Sequence, residues 1–308
     1  MIDNKDKRDN YLVIASKFYD ENDKEKAIKF LEKALKFNNS LDKEIGIMYQ
    51  MAIILDEANY KERALDTYKR IIELNNDEAG AYYGKAIIYD DMGEKEKAIE
   101  LYNKTIEVDN NYDRAYFYLA NIYDEMNNKN KAIEYYKKTI ELSEDDFMAH
   151  NNLGAIYEEI GEYKKSKEYL LKSIDLNPNY YKSLYNMGVV EKHLKNLDSA
   201  IKYYDKSIDL NKNYSFSFLN KSVIYIENNN IEKSIEVLTE GIKYNPNTGF
   251  LYYNRACNNA KLNNKNKALE DLYKSIKLYD NFRNIARRDR DFEKYFNDKE
   301  FNEITSKR

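Results

Sequence analysis

Residues 147–180 read FMAHNNLGAIYEEIGEYKKSKEYLLKSIDLNPNY, and the alternation of small and large side chains in this stretch decides the fold. With Phe147 as position 1, core-type residues fall at positions 4, 7, 8 and 11 (His150, Leu153, Gly154, Tyr157) and again at 20, 24 and 27 (Ser166, Leu170, Ser173). Those spacings lay one stripe along each of two amphipathic helices. Gly161, at position 15, tolerates the left-handed conformation that ends a helix. Pro178, at position 32, lies where a helix must stop. The stretch encodes a helix, a turn, a second helix and a stop.

The pattern recurs in both directions. Alanine or serine occupies position 20 at 27, 64, 98, 132, 166, 200, 234 and 268, a first step of 37 residues followed by steps of 34. The repeats are 8–41, 45–78, 79–112, 113–146, 147–180, 181–214, 215–248 and 249–282. Position 8 is small in all eight (Ala15, Ala52, Ala86, Ala120, Gly154, Gly188, Ser222, Ala256), and position 27 is small in all but Ile71. Small residues at three fixed points let the paired helices approach while bulky residues at positions 11 and 24, such as Tyr123 and Tyr102, interdigitate. Position 15 is Asn or Gly except at Lys195, where the adjacent Asn196 is expected to take over the turn. Such a period makes one continuous all-α solenoid of antiparallel helix pairs, each burying its apolar face against the next.

Composition agrees. Hydrophobic residues make up 43% and charged residues 34%, enough apolar surface for a core. Two prolines and nine glycines leave no flexible linker, and the period marks no domain boundary. No run approaches the roughly 18 apolar residues of a membrane span, and the polar start, Met1 to Arg8, lacks the apolar stretch of a signal peptide. Cys257 is alone, so no internal disulfide forms. The expectation is a cytoplasmic protein. A net charge of -4 argues against nonspecific binding to nucleic acid.

This pattern resembles the tetratricopeptide repeat (TPR) family over residues 8–282, most closely in His150 to Tyr157 with Gly161, Ser166 and Pro178. The resemblance implies a right-handed superhelix whose first helices line a concave groove. Three extra residues near Asn38–Leu41 imply a longer first connection. Residues 283–308, with Ala286, Phe292, Tyr295 and Phe301, resemble the capping helices that close such arrays. Arg283, Arg287, Arg288 and Arg290 are interspersed with Asp289, Asp291 and Glu293, which reads as a solvated cap surface rather than a nucleic-acid patch.

By the same resemblance, positions 2, 5, 6, 9, 12 and 13 of each first helix face the groove. Position 6 is Asn152, Asn186, Asn220 and Asn254 in four consecutive repeats, although Asn is a poor helix former. A carboxamide matches the C=O and N–H of an extended peptide. The column resembles the asparagine ladder of polypeptide-cradling TPR superhelices; hydrogen bonding between adjacent helices, or an Asn-rich composition, would produce the same column. Position 5 carries Tyr49, Tyr83, Phe117, Tyr185 and Tyr253, either pockets for a ligand's side chains or packing between repeats. Positions 12 and 13 carry the acidic pairs Asp56-Glu57, Asp90-Asp91, Asp124-Glu125 and Glu158-Glu159, which would favour a basic ligand segment unless neighbouring lysines pair with them. Asn121, Asn152 and Lys182 match parts of the family's carboxylate clamp, but Phe117 and Asn186 stand where two of its cations belong.

No chemistry of bond-making is legible. His150 falls at a packing position and His193 at a helix end, neither with Cys or carboxylate at metal-ligand spacing. Cys257 has no base in evidence, and no phosphate loop or nucleophile elbow is present. The reading is a non-catalytic scaffold without metal or cofactor that holds a protein or peptide segment in its groove. Two alternatives remain: an assembly adaptor docking subunits on its convex or end surfaces, or an accessory subunit of an enzyme acting in trans.

Overall fold

The computed structural model describes residues 4–37 and 40–306. The described residues are helical, with no strand among them. First helices run Asn4–Asp20, Leu41–Glu57, Ala79–Asp91, Asp113–Glu125, Phe147–Glu159, Tyr181–His193, Ser215–Glu227 and Gly249–Lys261. Second helices run Lys24–Leu35, Lys61–Leu74, Lys95–Val108, Lys129–Leu142, Tyr163–Leu176, Leu197–Leu210, Ile231–Tyr244 and Lys265–Leu278. None is long and apolar enough to cross a membrane. The expected longer connection at Asn38–Leu41 falls at residues 38 and 39 outside the described residues.

Each helix pair packs where the period places its small residues. All eight position-20 residues, Ala27 through Ala268, are fully buried, and Ser166 satisfies its hydroxyl by donating to the Gly154 carbonyl at 2.6 Å. At Gly188 a Cβ would lie 2.6 Å from the Tyr204 ring, so the absent side chain is what admits the position-24 residue. Ile71, the large residue at position 27, is fully buried all the same.

The turns obey the period more strictly than residue type suggests. Position 15 has positive φ in every repeat: Asn22, Asn59, Gly93, Asn127, Gly161, Lys195, Asn229 and Asn263. Lys195 itself adopts φ 66°, while Asn196 caps the next helix at φ -91°, so the expected handover to Asn196 does not occur. The reason lies in the closing hydrogen bonds: Asn196 N–H reaches back to the Glu191 carbonyl at 2.9 Å, as Tyr60 N–H does to Leu55 at 2.8 Å, and only a left-handed residue before it permits that bond.

The chain falls into two compact units, Met1–Glu144 and Asp145–Arg308, divided at the connection between repeats 4 and 5. Nothing in the period marks this point. The first unit is a stack of four helix pairs around a core that includes Leu31, Met48, Leu55 and Ile71. The second stacks four more pairs and ends in the short helix Asn281–Ala286, a 3-10 turn Arg290–Tyr295 and the helix Lys299–Thr305. Ala286, Phe292 and Phe301 are buried against Ala256, Leu269 and Leu272 of the last repeat. The cap therefore stands where a ninth repeat would pack.

Candidate functional site

The candidate site is the first-helix face of each unit, where positions 5, 9 and 12 follow one another at helical spacing. The two members of each acidic pair have different fates. At position 13, Glu57, Asp91 and Glu125 each meet the lysine that opens the second helix of the preceding repeat. Lys24 lies 3.2 Å from Glu57, Lys61 3.5 Å from Asp91 and Lys95 2.5 Å from Glu125. These exposed pairs form a periodic staple, each contributing about 0–1 kcal/mol.

At position 12, Asp56 and Asp90 are half-buried, and no cation among the described residues lies within ion-pairing distance of either. Burial raises both carboxyls above their ordinary range; Asp91 adds to this at Asp56, and Glu125 and Asp91 at Asp90. Lys61 and Lys95 offset the rise only in part, each being committed to the next repeat's acid. Asp124 has its own cation, Lys129 at 2.7 Å. In the second unit, Glu158 takes His193 Nε2 at 3.1 Å, while Glu159 is exposed. The structure thus brings to His193 a carboxylate that sequence spacing did not suggest. Lys192 likewise takes Glu227 at 2.8 Å.

The position-5 aromatics pack against positions 24 and 34 of their own repeats. Tyr83 lies 5.9 Å from Tyr102 and 4.9 Å from Tyr112, ring centre to ring centre; Tyr185 lies 6.0 Å from Tyr204 and 5.1 Å from Tyr214. Tyr49 meets Tyr68 at 6.1 Å and donates its hydroxyl to Glu78 at 3.1 Å. Phe117 is buried against Tyr136, and Tyr253 is buried between Phe282 and Phe292 with its hydroxyl donated to Asp289 at 2.7 Å. Tyr49, Tyr83 and Tyr185 keep part of their surface exposed.

The asparagine column is partly spent on the fold. Asn186 donates to the Asn151 oxygen at 3.0 Å, Asn151 to the Asn152 oxygen at 2.9 Å, and Asn220 to the Tyr185 hydroxyl at 2.9 Å. Asn254 donates to its own helix at the Phe250 carbonyl, 2.8 Å away. All four are half-buried. In the first unit the same position holds Val13, Gln50, Gly84 and Tyr118. A Cβ at Gly84 would collide with Tyr68 Cζ, so the hydroxyl end of Tyr68 occupies the space a side chain would fill. The clamp residues divide: Asn121, which accepts the Tyr136 hydroxyl, belongs to the first unit, and Asn152 and exposed Lys182 to the second.

Sequence reasoning assigned Tyr68 and Tyr102 to packing alone. Their choice over Leu at position 24 was the available signal, because a buried hydroxyl needs a polar neighbour. Burial pushes Tyr68 up to about 12, with Asp56 adding to the rise. Tyr102 is raised by burial and then by Asp90. Tertiary structure also gathers Cys257, Asp289 and Asp291, with candidate ligand atoms within 4.8 Å of one another. Tyr253 and Lys261 already engage the two carboxylates, and burial holds the thiol strongly protonated. His150 is buried beside Tyr169, at a ring distance of 6.0 Å.

Tetratricopeptide-repeat models match residues 79–112, 113–146, 147–180 and 181–214, and a second such model matches 9–40 and 217–248. Among solved structures the chain is similar to YrrB, described as a TPR protein with an unusual peptide-binding site: 22% identity, 59% of this chain and 98% of that one, TM-score 0.50. It is also similar to Pseudomonas aeruginosa PilF (18% identity, 68% and 97% covered, TM-score 0.58). A chain of the APC/C hetero-tetramer Cut9–Hcn1 is similar too (16% identity, 83% and 53% covered, TM-score 0.60). No curated protein matches the sequence.

Proposed function

The chain belongs to the tetratricopeptide repeat family, a fold of protein-interaction scaffolds, and we propose that it acts by holding a basic segment of a partner protein on the first-helix face of its N-terminal unit. The observation that carries this reading is the pair Asp56 and Asp90: two half-buried carboxylates, 34 residues apart in sequence, without a cation of their own. An ionised carboxylate partly removed from water and left unpaired is unfavourable, and a partner's cation offsets that cost. The segment lies extended, so that successive side chains reach successive repeats. Binding needs no bond-making and no metal.

The asparagine column favours a second contact on the C-terminal unit. Asn186 and Asn220 each spend one N–H within the fold, which leaves their oxygens to accept from a peptide backbone.

Affinity capture from the native cell, with the wild type and with Asp56→Asn/Asp90→Asn, tests the proposal. Partners bearing lysine- or arginine-rich segments should be depleted in the double variant at unchanged helicity. An unchanged set of partners would overturn it and favour docking on the second-helix or end surfaces.

A further inference from the structure

The connections between repeats change character along the second unit. They read Pro178-Asn179-Tyr180-Tyr181-Lys182, Lys212-Asn213-Tyr214-Ser215-Phe216 and Pro246-Asn247-Thr248-Gly249-Phe250, with no acid in any of them. The corresponding connections of the first unit, Asn76-Asp77-Glu78-Ala79-Gly80 and Asn110-Asn111-Tyr112-Asp113-Arg114, both carry carboxylates.

In the fold the aromatics of the second unit touch in an unbroken run. Positions 34 and 1 of repeat 5, Tyr180 and Phe147, lie 5.0 Å apart, ring centre to ring centre, at 69°. The same positions of repeat 6, Tyr214 and Tyr181, lie 5.0 Å apart at 59°. Tyr180 meets Tyr181 at 6.2 Å, Tyr214 meets Phe216 at 5.6 Å, and Phe216 meets Phe250 at 5.2 Å. Phe216 is 46% exposed and the other rings are half-buried. The run borders the asparagine column, because Tyr214 lies 5.1 Å from Tyr185, whose hydroxyl accepts from Asn220. Lys182 and Lys212 are exposed beside it, and among the described residues no carboxylate lies within ion-pairing distance of either; Lys212 meets the Tyr244 ring and hydroxyl.

Shape, spacing and polarity select one ligand. Rings set at steep angles form clefts that accept a wedge-shaped apolar group, not the flat platforms on which nucleobases stack, and two lysines are few for a phosphate backbone. The first helices of repeats 5, 6 and 7 pack side by side, so equivalent clefts recur about every 8–10 Å. A polyproline II helix advances about 9 Å per three-residue turn, and its carbonyls carry no internal hydrogen bonds. Tyr180, Tyr181 and Tyr214, whose hydroxyls have no hydrogen-bond partner among the described residues, offer donors to those carbonyls.

We propose that this run of rings holds a proline-rich, acidic segment of a partner protein as a polyproline II helix, one turn per repeat. Its prolines enter the Phe147–Tyr180 and Tyr181–Tyr214 clefts, and its carboxylates meet Lys182 and Lys212. The site is separate from Asp56 and Asp90 and does not depend on the basic segment held there.

Fluorescence anisotropy with the full chain and a labelled peptide of three Pro-Pro-Glu triplets tests the site. That peptide should bind about tenfold more tightly than three Gly-Gly-Glu triplets, which carry the same charge on a flexible chain. Tyr214→Ala should weaken it about tenfold, with helicity unchanged by circular dichroism. Phe216→Ala, at an exposed ring, should weaken it about fivefold, and Lys182→Glu about threefold. Labelled hexa-arginine, the probe of the first unit's acids, should bind Phe216→Ala as tightly as wild type. Equal binding of the proline and glycine peptides, or of the proline peptide to wild type and Phe216→Ala, would overturn the proposal. So would an equal loss of the proline peptide and hexa-arginine in Phe216→Ala, or tighter binding of an oligothymidylate than of the proline peptide, which would reassign the rings to a nucleic acid.

Discussion

The first-helix faces of the two units are built on one repeat and differ in how their carboxylates are neutralised. In the second unit the partners come from neighbouring first helices: His193 of the next repeat for Glu158, Lys192 of the preceding repeat for Glu227, and Lys261 of repeat 8 for Asp291 in the cap. In repeats 1–4 the lysines come from the second helices: Lys24, Lys61 and Lys95 reach position 13 of the next repeat and Lys129 reaches Asp124, leaving Asp56 and Asp90 without one among the described residues. The comparison teaches that the count of acidic residues says little about a surface. What matters is whether the register delivers a cation to each acid, because an ion pair decays within a few ångströms near water.

Reversing charge on the uncompensated side should have the largest effect. Asp56→Lys/Asp90→Lys is expected to weaken hexa-arginine binding by about a hundredfold, since two charge-assisted contacts are replaced by repulsion. An anisotropy titration within threefold of wild type would erase the distinction between the faces. The converse change builds an uncompensated acid on the other side. His193→Glu removes the hydrogen-bond partner of Glu158, sets a second carboxylate beside it, and should strengthen binding of the same peptide about fivefold, detectable by the same titration. No gain would mean that compensation is not what separates the two faces.

The units also differ in their turns. Those of the first unit hold Asn or Gly at every left-handed position, whereas Lys195 in the second carries a Cβ and a long side chain at φ 66°. Lys195→Gly should raise the denaturant midpoint of the C-terminal unit by the equivalent of about 0.5–1 kcal/mol, and Asn127→Lys should lower that of the N-terminal unit comparably. A midpoint unchanged in both would show that the turn conformation carries no strain.

The smallest expected effect is on pH dependence. Asp90 has its carboxyl raised by folding, so its ionised form costs stability above the folded value. That cost is relieved as pH falls through the folded value toward the unfolded one, roughly 4. Asp90→Asn should therefore raise the melting temperature by about 1–2 °C at neutral pH, with the two curves converging in acid. Glu158→Gln should gain less, because it also loses the bond to His193. Equal gains at both positions would blur the comparison.

Much of the fold was legible because the repeat's structural residues act locally. Small residues at positions 8, 20 and 27 and a turn at position 15 are read within one repeat, and even the turn at Lys195 falls at the expected place, though Lys195 rather than Asn196 makes it. The site was less legible. Asp56 and Asp90 read as the equals of Glu57 and Asp91, yet Lys24 and Lys61 separate them. Those lysines stand in phase at position 17, so the sequence does carry a signal of the difference. Tyr253 reads as a groove residue like Tyr83, but the cap buries it, and nothing in its own repeat foretells that.

By itself the sequence determined that this protein is built of eight helix pairs in series, because helix periodicity, backbone strain and close packing are settled by residues within a few turns of one another. Only the tertiary structure decided which polar groups remain to face a partner. Several of these groups are satisfied by a side chain of the neighbouring repeat, 35 residues away, as Glu158 by His193 and Asn151 by Asn186. Whether that side chain arrives within hydrogen-bonding reach depends on how neighbouring repeats stack, a matter of ångströms that a 34-residue period does not encode.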